Sequence, residues 1–191
     1  MKIIVSGTPG TGKTEVSKIL SDILGYKLIR INEFAKEKDI IVGTDKKRKS
    51  KIIDENKLQK LSKDIPDNTV IEGHLAHYCK ADIAIILRTD PAVLEGRLKR
   101  RRWSRKKIRE NIESEILDII LQESIALNKK TYEIDTTKKT ASDSANEIID
   151  ILKSDKSKKA HLPGHISWEK YMIDLSFQAK NKNKDHNLFK S

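Results

Sequence analysis

A chain of 191 residues with 37% hydrophobic, 5% aromatic and 35% charged residues can bury one core with inserted lobes beneath a heavily solvated, helix-rich surface. No run approaches the roughly 18 apolar residues of a membrane span, the N-terminus lacks a signal-peptide layout, and Cys79 alone excludes a disulfide or a cysteine zinc cluster. A cytoplasmic protein with one structural thiol is expected, and a charge of +11 with a pI near 9.6 favours nucleotides, RNA or a ribosomal setting.

The first element is the apolar run KIIVS (2–6), which reads as a buried parallel strand. GTPGTGKT follows at residues 7–14. Its Gly7, Gly12, Lys13 and Thr14 match G-x-x-x-x-G-K-[ST] in the required context, strand before and helix after. Glycines let successive backbone N–H groups converge on a phosphate, and the helix N-terminus adds positive potential. Lys13 reaches the β/γ oxygens, and Thr14 ligates Mg²⁺. Nucleotide binding is therefore expected, with Pro9 and Thr11 assigned to loop shape alone. The helix over 14–24 places Val16, Ile19, Leu20, Ile23 and Leu24 on one face and stops at Gly25.

KLIRI (27–31) is the second strand, and TDKKRKSKIIDE (44–55) beyond it is strongly basic. Lys46, Lys47, Arg48 and Lys49 there bind a monophosphate, contact RNA or form a solvated loop, and Arg30 is the rival acceptor contact. The third run, TVIEG (69–73), brings Glu72 to a strand's carboxyl end, where ligands sit in such sheets. Glu72 holds Mg²⁺ through water or orients an attacking water, with His74 in the same cleft. The bland alternative is a helix-capping Glu72 and a packed His74. His77 is expected at the surface or in packing.

DIAIILR (82–88) is the fourth strand. Nine of the thirteen residues in RLKRRRWSRKKIR (97–109) are basic. Lying between helical segments, this run reads as a lid that brings arginines onto a transferring phosphoryl group, or as a basic face for RNA. Trp103 stacks on a base or anchors the lid. A helical stripe from Ile108 through Ile112, Ile116, Ile119, Ile120 and Ile125, the strand TYEID (131–135) and a core helix over 145–152 complete an α/β, doubly wound parallel sheet. After Lys153 comes a polar, Lys-rich linker. From the N-cap Ser167, the residues Trp168, Tyr171, Met172 and Leu175 take the spacing of a short amphipathic helix that packs on its own domain or on a partner, ahead of a disordered end.

In this order and spacing, GTPGTGKT, EGHLAH, AIILRTDPAVLEGRLKRR and WSRKKIRENIESEI resemble the archaeal and eukaryotic adenylate-kinase-like factors of small ribosomal subunit maturation, over residues 1–153. The resemblance implies a P-loop nucleoside monophosphate kinase fold: a five-stranded parallel sheet flanked by helices, a monophosphate-binding lobe over 30–53, a short lid over 100–110, and a linker and tail from 154 to 191. It implies broad-specificity phosphoryl exchange between ATP and a monophosphate such as AMP, with Mg²⁺ and an accompanying ATPase activity. The implied partners are the platform ribosomal protein of the S-eleven family and the pre-ribosomal small subunit with its rRNA.

By the same likeness Gly10, Gly12, Lys13, Thr14 and Glu15 bind ATP phosphates, Arg101 contacts ATP from the lid, Lys139 contacts the nucleotide, and Glu72 and His74 serve hydrolysis. The family's Arg-Gly-Tyr falls on Arg101, Arg102 and Trp103, so an arginine stands where the family has glycine. Two alternatives on the same fold are a kinase of a small metabolite and an RNA-binding assembly factor that uses ATP as a switch.

Overall fold

The computed structural model describes residues 1–46, 50–128 and 130–172. Along the chain, β1 (Lys2–Gly7) leads through the phosphate loop into α1 (Lys13–Leu24), β2 (Lys27–Arg30) and α2 (Ile31–Glu37). A hairpin of β3 (Ile41–Asp45) and β4 (Ser50–Ile53) opens onto α3 (Glu55–Leu61) and β5 (Thr69–Glu72). After β6 (Ile83–Arg88) come α4 (Pro91–Arg100), α5 (Arg105–Ile116) and α6 (Ile119–Leu127). Then β7 (Thr131–Asp135) precedes α7 (Ala141–Lys153) and α8 (Asp155–Ala160).

The five strands expected from the apolar runs form one parallel sheet in the order β2-β5-β1-β6-β7. Both faces are covered, which is why each strand reads as an unbroken apolar run rather than an alternation. On one face Ile3, Val5, Ile85 and Leu87 meet Val16 and Leu20 of α1 and Ile148 and Ile151 of α7. On the other, Ile4, Ile71 and Ala84 meet Ile31 and Phe34 of α2 and Leu58 of α3. β1 sits between β5 and β6, so the strand order reverses beside it. The crevice at the carboxyl ends of the strands opens at that point, where both the phosphate loop and Glu72 emerge.

Three local features depart from the sequence pattern. The β3–β4 hairpin was not foreseen, because its strands are short and leave Val42 and Ile52 exposed instead of alternating cleanly. The stripe expected to run as one helix from Ile108 to Ile125 is two helices: Asp118 takes a left-handed φ of 54° and gives its carboxylate to Arg88, turning the chain between α5 and α6. The polar stretch after Lys153, read as a linker, holds α8, N-capped by the Ser154 side chain.

Beyond α8 the backbone N–H groups of Gly164, His165 and Ile166 donate to Glu133 Oε1 at 2.9, 2.8 and 2.9 Å, and Trp168 is buried. Where the amphipathic helix was expected, a 3₁₀ turn, Glu169–Tyr171, falls among the described residues. Leu175 lies outside them, as do Lys47, Arg48 and Lys49 of the basic cluster. Among the described residues no helix is long and apolar enough to cross a membrane.

Candidate functional site

The phosphate loop is shaped by glycines that no other residue replaces. A Cβ on Gly7, at φ 139°, would sit 2.3 Å from the Leu87 carbonyl oxygen, and one on Gly10, at φ 102°, would sit 2.8 Å from Leu94 Cδ1. The loop is thereby pressed between β6 and α4. Gly12 starts α1 with no side chain capping the helix, so its first-turn N–H groups are open to an anion. Lys13 is 8% exposed and its Nζ donates to the Thr8 carbonyl oxygen at 3.0 Å. Burial lowers the pKa of this ammonium to about 8, with Arg101 adding to the shift and Glu72, Glu115 and Glu15 opposing it.

Glu72 ends β5 with Arg30 beside it in register on β2 and Val5 on β1. Burial raises its pKa, and the positive charges of Lys13 and Arg30 oppose that rise. Thr14 Oγ1 donates to Glu72 Oε1 at 3.4 Å. A hydroxyl and a carboxylate beside a phosphate cradle are hard oxygen donors and fit Mg²⁺, which takes few protein ligands and fills its shell with phosphate and water. Among the described residues no group of three or more His, Cys, Asp or Glu side chains is gathered for a metal.

His74 stands exposed on the lip of this cleft. Desolvation by the cleft walls, then the charges of Lys13, His77 and Lys107, lower its pKa to about 4, so the ring is neutral at pH 7. His77, expected at the surface or in packing, is buried and bridges two elements. Its Nε2 is 2.9 Å from Glu123 Oε2 and its Nδ1 is 3.2 Å from Ser6 Oγ. Burial lowers its pKa to about 4, and a neutral ring satisfies both partners with its proton on Nε2 and the Ser6 hydroxyl donating to Nδ1. Asn128 Nδ2 donates to its carbonyl oxygen at 2.8 Å, so the turn that carries His74 is braced from both sides.

On the α7 side of the loop, Gly10, Gly12, Glu15, Arg101, Thr136 and Lys139 line a cavity of about 290 Å³. Five of the expected site residues therefore share this cavity, while Lys13, Thr14, Glu72 and His74 gather at the end of β5 with the loop between the two groups. Lys139 Nζ is held on Glu147 Oε2 at 2.5 Å. Arg97, which the sequence showed only as part of a basic run, donates to the Gly10 carbonyl at 3.3 Å and the Thr136 carbonyl at 3.0 Å. It ties the phosphate loop to the β7 loop.

In the basic segment expected to form a lid, Trp103 packs against Leu94, Leu98 and Ile108, with the Lys107 ammonium 4.0 Å from its ring centroid. Arg102 takes φ 55°, the left-handed conformation that glycine adopts freely. A second cavity, of about 390 Å³, runs along the edge strand β2 past Arg30, Glu33 and Phe34.

Sequence reasoning missed a buried polar cluster. Arg88, 1% exposed at the end of β6, pairs with Glu115 at 2.8 Å, Glu133 at 3.2 Å and Asp118. Its one sequence signal was a charge closing an otherwise apolar strand, since such a residue is buried only when paired.

The family described as "AAA domain" matches residues 3–118. A Methanocaldococcus jannaschii protein described as "Putative adenylate kinase" is 39% identical over 184 residues, covering 94% of this chain and 100% of that protein. A Methanosarcina barkeri protein of the same description is 43% identical over 185 residues, covering 92% and 99%. Among solved structures, deoxyadenosine kinase from M. mycoides with bound dATP has a TM-score of 0.54 at 17% identity, covering 81% of this chain and 100% of its own. Shikimate kinase from Acinetobacter baumannii in complex with shikimate has a TM-score of 0.58 at 16% identity, covering 81% and 94%. At those identities the shared property is the P-loop kinase fold. With the archaeal relatives matching nearly end to end and the phosphate loop built as described, the chain belongs to the P-loop, adenylate-kinase-like family.

Proposed function

We propose that the protein transfers the γ-phosphoryl group of ATP to nucleoside monophosphates, AMP foremost, with broad specificity and an accompanying ATPase activity. One observation carries this reading: the Lys13 ammonium is buried at the mouth of an uncapped helix, with its pKa lowered despite three nearby carboxylates. A polyanionic phosphate supplies the charge that burial disfavours, and the α1 N–H groups add directed donors. Lys13 and this first turn hold the β- and γ-phosphate oxygens. The nucleoside takes the cavity beside Gly12, Thr136 and Lys139, and Arg101 lies over the loop, where charge spreads on the transferring group.

Thr14 and Glu72 would hold Mg²⁺, which when bound would neutralise phosphate charge. In exchange, a phosphate oxygen of the monophosphate attacks the γ-phosphorus, the bond to the bridging oxygen breaks, and ADP leaves. Arg30, in register with Glu72, steadies the acceptor phosphate. In hydrolysis a water takes the acceptor's place, oriented by Glu72 and the neutral His74.

We place this activity in late maturation of the small ribosomal subunit, through transient binding of the S-eleven-family platform protein and pre-ribosomal rRNA. The motif resemblance and the charge of +11 support that setting. Incubating the chain with γ-labelled ATP and each of the four ribonucleoside monophosphates, with and without the platform protein, tests the whole reading. Label in nucleoside diphosphate is expected, with AMP the best acceptor. Label in inorganic phosphate alone removes the kinase, and transfer to shikimate-like metabolites but not to monophosphates moves the protein to another branch of the fold.

A further inference from the structure

Glu115 of α5 is 2% exposed and its two oxygens face different parts of the molecule. Oε2 accepts the Thr8 hydroxyl at 2.5 Å. Oε1 accepts Arg88 Nε at 2.8 Å, the Thr89 N–H at 3.1 Å and the Trp168 indole N–H at 3.2 Å. Thr8 lies within the phosphate loop, and its carbonyl oxygen takes both the Lys13 ammonium and the Thr11 hydroxyl, each at 3.0 Å. One carboxylate thus lies between an indole of the C-terminal segment and the residue that orients the loop lysine.

The segment carrying Trp168 is fixed on both sides. Upstream, Glu133 collects three consecutive backbone N–H groups. Downstream, the Tyr171 hydroxyl and Lys170 Nζ donate to Asp90 at 2.6 and 3.0 Å. Asp90 is also the N-cap of α4, the helix whose C-cap is Arg101, and Glu115 lies in α5, which returns from the lid. Trp168 itself sits with its ring centroid 5.9 Å from the Arg88 guanidinium carbon. The C-terminal segment therefore spans the bases of both lid helices and reaches the phosphate loop through Glu115.

We propose that Glu115, clamped by Trp168, is a positioning residue for the phosphate loop, so that docking of the C-terminal segment sets the affinity for the ATP phosphates. The proposal rests on the nucleotide-binding reading above. Arg88 and Thr89 still donate to Glu115 when the indole N–H is absent, so the fold survives. The carboxylate then rotates between its remaining donors and no longer holds the Thr8 hydroxyl in one place. The Thr8 carbonyl moves with it, and Lys13 loses its orientation in a low-dielectric site where small displacements matter.

The test is a double-mutant cycle on the full chain, read as the Kd for ATP–Mg²⁺ by calorimetry alongside KM and kcat. Trp168→Phe keeps an aromatic ring, though a smaller one, and removes the N–H; Thr8→Val keeps the shape and removes the hydroxyl. Each is expected to weaken ATP binding about three- to tenfold, the net scale of one ordinary intramolecular hydrogen bond, because only part of the lost bond is transmitted to Lys13, with the loss falling on KM rather than kcat. Thr8→Ser recovers most of what Thr8→Val loses. The double variant is no weaker than the weaker single, since both cut the same link.

A second readout does not depend on the stability of those variants. With Trp103→Phe, Trp168 is the sole tryptophan of the chain, and its emission should shift with ATP–Mg²⁺ at a midpoint matching the Kd. Additive losses in the cycle together with silent Trp168 emission, in a chain that binds ATP normally, overturn the proposal and leave the kinase reading standing. A wild-type chain that does not bind ATP–Mg²⁺ overturns both.

Discussion

Thr14 and Glu72, 58 residues apart in the chain, meet at the carboxyl edge of the sheet, the hydroxyl donating to Oε1 at 3.4 Å. The contact places a hydroxyl from the first turn of α1 and a carboxylate from the end of β5 on one side of the phosphate loop, with His74 two residues on. Water needs an oriented acceptor for its proton, whereas a bound monophosphate brings its own anionic nucleophile. Glu72→Gln and His74→Ala should therefore lower ATP hydrolysis more than phosphoryl exchange, with the gap measured in parallel assays at saturating ATP. Because the folded His74 has a pKa of about 4, hydrolysis by the wild type should show no His74 inflection between pH 6 and 7.5. Equal losses in both reactions contradict the division of labour.

Lys13→Ala should cut exchange and hydrolysis alike, about 10²-fold or more, since both reactions lose the same charge on the β/γ oxygens. Its pH dependence follows from a folded pKa of about 8 against 10.5 for the free side chain. Between those values the unfolded chain binds more protons, so the stability contributed at this position is lowest below pH 8 and rises from about pH 8 to 10.5. Bound phosphate acts in the opposite sense by favouring the ammonium. Affinity for ATP–Mg²⁺ should then fall as pH rises past about 8, by up to tenfold per unit, and Lys13→Met should lose that slope. Calorimetric titrations from pH 7 to 9.5 decide it; a wild-type affinity flat across that range is the contrary result.

The parts of this molecule that were legible in the sequence are those whose chemistry is local. Strands buried on both faces have to be apolar throughout, so KIIVS and DIAIILR declare themselves, and a phosphate loop needs glycines at fixed offsets from Lys13. Glu115 was not legible, because it sits in the charged stretch RENIESEI and its partners, Arg88 and Thr8, lie 27 and 107 residues away. His77 was hidden in the same way by partners on β1 and α6. Trp168 carried the spacing of an apolar stripe but no sign of what it would meet. Its indole N–H on Glu115 places it on its own domain.

Arg88→Met tests how far that buried cluster depends on its single cation. Removing the guanidinium leaves Glu115 and Glu133, both almost fully buried, with backbone, hydroxyl and indole donors but no opposite charge. Breaking one side of such a pair costs about 3–5 kcal/mol, or roughly 6–20 °C in Tm for a chain of this size. Urea unfolding at pH 7 measures the deficit, and a loss below about 1 kcal/mol is incompatible with the explanation.

Arg102 gives a prediction of opposite sign. At φ 55° a side chain with a Cβ costs about 1 kcal/mol that glycine avoids, partly offset by the greater freedom of glycine in the unfolded chain. Arg102→Gly should raise Tm by about 1–3 °C, while Arg102→Ala, which keeps the Cβ, should not. A drop in Tm for the glycine variant means that the guanidinium makes a stabilising contact outweighing the backbone strain.

The basic surplus is the last feature with a measurable consequence. A lid over one ATP needs few arginines, yet the chain also carries Lys46, Lys47, Arg48 and Lys49 and a Lys-rich stretch over 153–159. If these groups contact rRNA phosphates, binding releases counterions, and each lost contact lowers the slope of log affinity against log salt by about 0.7–0.9. Small-subunit precursor binding should then weaken steeply between 50 and 200 mM salt, estimated on the same basis, while ATP–Mg²⁺ affinity changes much less. Reversing Lys46, Lys47, Arg48 and Lys49 to Glu should reduce both the affinity for the particle and its salt slope, with KM for AMP unaltered. If instead particle binding and its slope are unchanged and KM for AMP rises, the cluster belongs to the acceptor lobe, beside Arg30, and the charge has its use in catalysis alone.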